Sequence, residues 1–262
     1  QGGMGSVYRG FDVALRREVA IKTLPLLQEY EGPEQAAIAE RFFQEAEAVG
    51  RLDHPNIVTV YDAGKEHDLA YIAMDYAQGI SLDKYCTKDM KLPIIIVTRI
   101  GQKIANALAY AHRKSVVHRD VKPANIIYDG ESGSLKITDF GIASLIDDNK
   151  TRTGTLLGTP SYMSPEQVAG EKVDGRADIY ALGVSLYQLL TGQLPFVGDT
   201  LANLMYQITN TRQKDITEIR PELGECLNKV INKAMEKDPE ERFQTGDELA
   251  KALRQCELEF TR

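Results

Sequence analysis

The sequence contains no tryptophan and only three cysteines, Cys86, Cys226 and Cys256. An odd number with no metal-ligand spacing excludes a zinc site and argues against a disulfide frame, so the three read as reduced intracellular thiols. Cationic side chains are in the minority, 31 Lys and Arg against 38 Asp and Glu, a formal net charge of −7. A chain without a basic footprint is not expected to take nucleic acid as its partner. Long apolar runs are missing too. The stretches "LPIIIV" at 92–97 and "YALGVSLYQLL" at 180–190 are too short to span a bilayer, and no signal peptide is visible. The chain opens on Gln1 rather than methionine, like a piece of something longer, so membrane contact is expected only through segments outside it.

What remains is enough for a folded domain. With 262 residues, 43% of them hydrophobic and 26% charged, the chain can bury one large core or two smaller lobes. Residues 1 to about 80 read as strand-rich with one helix. "SVYRGFD" and "REVAIKTL" surround a charged turn and predict a hairpin. The Ala- and Glu-rich segment 34–52 predicts a helix. "IVTVYDAG" and "LAYIAMDY" predict two strands joined by the turn "KEHD". After Gly79 the pattern turns helical. Ile96, Ile100, Ile104, Leu108 and Ala111 form one stripe at near-helical spacing, and "VDGRADIYALGVSLYQLLTG" predicts a helix ended by Gly192.

Several short motifs carry chemistry. In "QGGMGSVY", closely spaced glycines let backbone N–H groups approach phosphate, although a glycine-rich turn explains them equally. Lys22 closes the apolar run "VAIK", where it is either a snorkelling edge residue or a phosphate contact in need of an acid. Glu45 in the following helix is a candidate for that acid, or merely solvated. "HRDVKPAN" concentrates more chemistry. Asp120 can accept a proton from a hydroxyl, Lys122 can offset phosphoryl charge, and Asn125 offers a hard oxygen to Mg²⁺. Asp139 of "KITDFG" offers another, and a split Asn and Asp pair suits an ion that is otherwise held by substrate phosphates.

Taken in order, the glycine loop, "VAIK", the helix glutamate, "HRD" with Asn125, "DFG" and "SPE" at 164–166 resemble the protein kinase signature across essentially the whole chain. "GGMGSVY", "HPNIV", "GTPSYMSPEQ" and "RADIYALGV" resemble the bacterial, Hanks-type, receptor-like serine/threonine kinases. The resemblance implies an α+β, two-lobed fold in one catalytic domain over 1–262. Residues 1–74 would be a small β-rich lobe lacking its first strand, 75–80 a hinge, and 81–262 a larger helical lobe. It implies ATP and Mg²⁺, with Mn²⁺ as the alternative, protein substrates with Ser or Thr acceptors, a second copy of the chain as substrate in trans, and a cytoplasmic location, including that of a cytosolic domain of a membrane-anchored protein.

By the same resemblance, Gly2, Gly3 and Gly5 cover the ATP phosphates and Lys22, held by Glu45, pairs the α- and β-phosphates. Asp120 takes the substrate proton, Lys122 stabilises the γ-phosphate, and Asn125 and Asp139 hold metal. Ile127 lies under adenine, opposite Val7 and Ala20, with Asp75, Tyr76 and Ala77 as the hinge and Met74 at the back of the pocket. Arg119, read as a buried-side arginine, implies activation by phosphorylation, with Thr151, Thr153 and Thr155 as candidate acceptors. Thr159 contacts Asp120 and substrate. Glu166 pairs with Arg242, Asp178 holds the catalytic-loop backbone, and Val49, Val60, His118 and Phe140 stack between the lobes. A pseudokinase scaffold is the alternative. The complete set Lys22, Asp120, Asn125 and Asp139 argues for activity, and "GTPSYMSPE", similar to a peptide-substrate platform, argues against a small-molecule kinase.

Overall fold

β-Branched and aromatic residues flank a charged turn near the start of the chain, and the backbone folds there as a hairpin. The computed structural model describes residues 6–25, 33–66, 69–87, 91–140 and 160–260. β1 (Ser6–Asp12) and β2 (Arg17–Pro25) pair antiparallel, Val7 opposite Lys22 and Asp12 opposite Arg17. The turn between them is held by the Leu15 N–H, which donates to Asp12 Oδ1 at 3.0 Å. β3 (Val60–Glu66) and β4 (Leu69–Asp75) complete a four-stranded antiparallel sheet of order β1-β2-β4-β3. Helix α1 (Pro33–Gly50) covers one face, burying Phe42 and Ala46 with Val58, Ala70, Ile72 and Met74.

β3 begins at Val60, three residues after the start of the predicted strand "IVTVYDAG". Ile57 and Val58 are used elsewhere, because the Val58 N–H donates to Ile137 O at 3.0 Å and the Ile137 N–H to Asn56 O at 2.8 Å. Ile137 belongs to a second sheet, β5 (Ile80–Ser81), β6 (Ile126–Tyr128) and β7 (Leu135–Ile137), so a parallel bridge joins the strand-rich part to the helical part.

The helical part is organised by α2 (Ile94–Arg113). Ile100, Ile104, Leu108 and Ala111 are buried as the stripe requires, with Ile96 half-buried. α3 (Pro165–Ala169) is short. α4 (Gly175–Thr191) is buried nearly all round and ends at Gly192, whose φ of 79° is the left-handed cap that glycine adopts without strain. α5 (Leu201–Asn210), α6 (Ile216–Ile219), α7 (Gly224–Ala234) and α8 (Gly246–Phe260) close the domain, with α2 packed against α4 and α8.

Two cysteines do not follow the reading as reduced thiols. Cys226 in α7 and Cys256 in α8 form a disulfide with Cα atoms 5.5 Å apart. Thirty residues separate them in sequence, and only the packing of the two helices brings them together. The cysteine argument for a reducing compartment therefore falls. Cys86 is the free thiol, buried, its pKa pushed up to about 12 by burial.

The passage from sheet to helices turns on Gly79. Its φ is 109°, and a Cβ there would stand 2.3 Å from Tyr128 O. Gly79→Ala is expected to lower stability by at least about 1–3 kcal/mol through backbone strain alone. A urea midpoint unchanged from wild type would overturn this.

Candidate active site

Register places the first group. Directly opposed residues share a sheet face, and successive residues alternate. Val7, Ala20, Lys22 and Met74 therefore lie on one face, Val7 against Lys22 and Ala20 against Met74. Val7 is exposed there, Ala20 half-buried and Met74 buried. Beyond β4 the chain runs through half-buried Tyr76 and Ala77 to Gly79. Ile127, half-buried in β6, faces Ser81 on one side and Lys136 on the other.

The loop 118–125 supplies the second group, and its shape is set by hydrogen bonds to side chains from distant elements. Asp178, in the first turn of α4 and fully buried, accepts the His118 N–H at 2.8 Å and the Arg119 N–H at 2.7 Å. These bonds hold Arg119 at a φ of 65°, a conformation a non-glycine residue keeps only under such constraint. His118 is buried, its Nδ1 accepting the Asp120 N–H at 3.2 Å and its Nε2 donating to Thr138 O at 3.0 Å. The ring is thereby fixed as the Nε2–H tautomer and packs 4.4 Å from the Phe140 ring, centre to centre. Phe140 and Val49 are buried in the same core, with Val60 packed on it.

Asp120 then faces its neighbours. Its Oδ2 accepts from Lys122 Nζ at 2.7 Å and from Asn125 Nδ2 at 2.9 Å, and Nδ2 also reaches Asp120 O at 2.8 Å. The Asn125 amide orientation follows, with Nδ2 on Asp120 and Oδ1 accepting nothing among the described residues. The Asn125 carbonyl takes Thr138 N–H at 2.8 Å, which ties the loop to Asp139, itself at a φ of 59°. Lys22 Nζ donates to Asp139 Oδ1 at 2.6 Å with its side chain only 13% exposed. Two segments more than a hundred residues apart are thus closed into one polar cleft. Among the described residues no cluster of three His, Cys, Asp or Glu side chains forms a metal cage. A Mg²⁺ site of one amide oxygen and one carboxylate, completed by phosphate, needs none, and the free Asn125 Oδ1 with Asp139 fits that donor set.

Away from the cleft, Glu166 and Arg242 meet in a buried bidentate pair at 2.7 and 2.8 Å. Burial pushes the Glu166 carboxyl up, but the Arg242 guanidinium outweighs it and holds the carboxyl below its usual range. Arg119 is exposed rather than buried, and among the described residues only its backbone is engaged. The side chain of Glu45, with Gly2, Gly3, Gly5, Thr151, Thr153, Thr155 and Thr159, lies outside the described residues.

Sequence reading missed several participants. His112 Nε2 sits 2.7 Å from Asp178 Oδ2, so that carboxylate serves three partners. Gln167 Oε1 accepts the Ser164 N–H at 3.0 Å while its Nε2 donates to Arg119 O at 2.9 Å. A histidine at the end of an apolar-striped helix is the only sign His112 gives. Gln167 gives a helix-start sign, three residues after Ser164.

A family model described as protein kinase domain matches residues 1–254. The serine/threonine-protein kinase PrkC of Bacillus subtilis is 38% identical over 249 residues, 95% of this chain and 38% of that protein. PknB of Mycobacterium leprae is 37% identical over 95% of this chain and 40% of its own length. The chain thus spans about two fifths of the curated relatives it matches. Among solved structures, the PknI kinase domain of Mycobacterium tuberculosis superposes with a TM-score of 0.77 at 31% identity, covering 98% of this chain and 92% of that one. Rad53 residues 1–466 in complex with AMP-PNP gives a TM-score of 0.78 at 25% identity, over 97% of this chain and 61% of that one. The chain belongs to the protein kinase domain family, and the two curated relatives named above are bacterial serine/threonine-protein kinases.

Proposed function

We propose that this domain transfers the γ-phosphate of ATP to serine or threonine hydroxyls of proteins, and that it is switched on by autophosphorylation in trans. The convergence of Asp120, Lys122 and Asn125 with the Lys22–Asp139 pair carries the reading. Catalysis of this kind is positioning and electrostatics. Lys22 binds the α- and β-phosphates, and Glu45 is its partner when nucleotide is bound. Asp120 orients the acceptor hydroxyl and takes its proton, while Lys122 offsets charge on the transferred group. Asn125 and Asp139 hold the divalent cation, Mg²⁺ before Mn²⁺, which neutralises phosphate charge when bound. Gly2, Gly3 and Gly5 cover the phosphates. Adenine lies between Val7, Ala20 and Ile127, backed by Met74, with the backbone of Asp75 and Ala77 as its polar contact. Residues 1–74 and 81–262 act as the two lobes of one domain about a hinge at 75–80.

Arg119, being exposed, is available to a phosphate on Thr151, Thr153 or Thr155, and Thr159 sits by the acceptor. Nucleic acid has no part in the reaction, and membrane contact belongs to segments outside the chain. A cytoplasmic setting is proposed because that is where ATP is supplied.

Intact-mass measurement after incubation with ATP and either Mg²⁺ or Mn²⁺ tests this. Phosphate increments that map to threonines 151–155 are expected, and the increment per molecule at a fixed early time should rise with protein concentration. The absence of all three, phosphate increments, nucleotide binding and transfer to a generic protein substrate, would sink the reading.

A further inference from the structure

Asp75 ends β4 on the sheet face opposite Lys22 and Met74, so its carboxylate points away from the nucleotide side. Among the described residues its carboxylate nonetheless accepts from three donors. Oδ1 accepts from the Tyr61 hydroxyl. Oδ2 accepts from Lys136 Nζ at 2.9 Å and from the Thr59 N–H at 3.3 Å. The Asp75 N–H in turn donates to Thr59 O at 2.9 Å. Lys136 is not on this sheet. It lies in β7 and also donates to Ile57 O at 3.1 Å, and its register partner in β6 is Ile127. Tyr61 is held from its other side by Arg17, whose guanidinium stands 3.4 Å from the ring centre.

Both charged side chains are less than one quarter exposed, at 24% and 23%. Burial alone would raise the Asp75 carboxyl, but the Tyr61 hydroxyl, Lys136 and the Thr59 amide outweigh it and keep it ionised. The cluster is therefore a persistent charged contact between the four-stranded sheet and the hairpin carrying Ile127, placed at the back of the cleft where the two parts join.

We propose that Tyr61, Asp75 and Lys136 form an interlobe clasp that positions the hinge backbone and the Ile127 floor for adenine. The inference rests on the ATP reading above and adds to it two side chains, Tyr61 and Lys136, that touch neither nucleotide nor acceptor. By fixing Asp75 from behind, the clasp presents its carbonyl at a constant angle and sets the height of the adenine slot. Lys136 is then a positioning residue, and its loss acts on nucleotide affinity rather than on transfer.

The test compares wild type with Lys136→Met, Lys136→Arg and Tyr61→Phe. Read for each are the KM for ATP, kcat, the Kd of a fluorescent ATP analogue and the thermal midpoint without nucleotide. Lys136→Met is expected to raise KM and Kd together by about fivefold, a typical coupling between sites, with kcat within twofold. Lys136→Arg restores both, and Tyr61→Phe moves them in the same direction. Should Lys136→Met fail to fold, Tyr61→Phe carries the test, since it removes one hydroxyl and leaves the ring under Arg17. A Kd within twofold of wild type alongside a lowered midpoint would make the cluster structural only, and a raised kcat at unchanged KM would make it a brake; either overturns the proposal. If the wild type itself binds no nucleotide, the ATP reading fails, a result distinct from a variant that binds as tightly as wild type.

Discussion

Asp120→Asn is expected to reduce phosphoryl transfer by roughly 100- to 10,000-fold while leaving the domain folded. The substitution keeps shape and removes charge and basicity. In the structure Asp120 Oδ2 accepts from two donors, Lys122 Nζ and Asn125 Nδ2. An amide in its place can present its oxygen to only one geometry, and the proposed proton acceptor is gone. Lys122 also loses its counter-charge, so its proposed position over the transferred group loosens. Stability should change by no more than about 1 kcal/mol, because the ion pair is roughly one third exposed on the lysine side and screened. Initial rates on a protein substrate, with thermal midpoints for both forms, check the expectation. A fall of less than tenfold would remove Asp120 from the chemistry.

The second large effect is on stability. Arg242→Ala is expected to cost about 3–5 kcal/mol, enough to unfold a domain of marginal stability. All of the Arg242 nitrogens are used. Besides the two bonds to Glu166, Nε donates to Glu236 O at 2.7 Å, Nη1 to Arg176 O at 3.1 Å and Nη2 to Lys237 O at 2.9 Å. The side chain is completely buried. Truncation strands a buried carboxylate and three carbonyls together. Arg242→Lys should recover little, since an ammonium cannot span a bidentate site.

Glu166→Gln gives the matching pH signature. The folded carboxyl lies below its unfolded value of about 4.3, so the unfolded chain binds the extra proton in that window. The pair's contribution is therefore complete above about pH 5 and is lost as pH falls through the folded value. Urea midpoints of wild type should fall with pH there, and those of Glu166→Gln should fall less steeply. Parallel curves would exclude the pair as the source.

The elements with strong local patterns were legible. The β1–β2 hairpin, the α2 stripe and the Gly192 stop each leave a mark in a short window of sequence, so strand composition, turn residues and helical spacing report them directly. The β3 start was not legible, because Ile57 and Val58 satisfy strand propensity equally well in β3 or against β7. Only the partner strand chooses between them. The motif residues of the cleft could be named in sequence because their chemistry is tied to residue type. Their geometry could not, since Lys22 and Asp139 are 117 positions apart.

The same division explains the misses. Arg119 was read as buried from its neighbour Asp120, yet the backbone turn imposed by Asp178 sends its side chain to the surface. His112 and Lys136 look like ordinary polar residues until a distant carboxylate is placed beside them. Cys226 and Cys256 carry no pairing signal in their spacing and are joined by helix packing. By itself, then, the sequence determined which chemical groups this protein has and which local elements carry them, because side-chain type and hydrophobic period are local properties. Tertiary structure alone decided which charges meet and which cysteines pair, because those contacts link residues far apart in sequence.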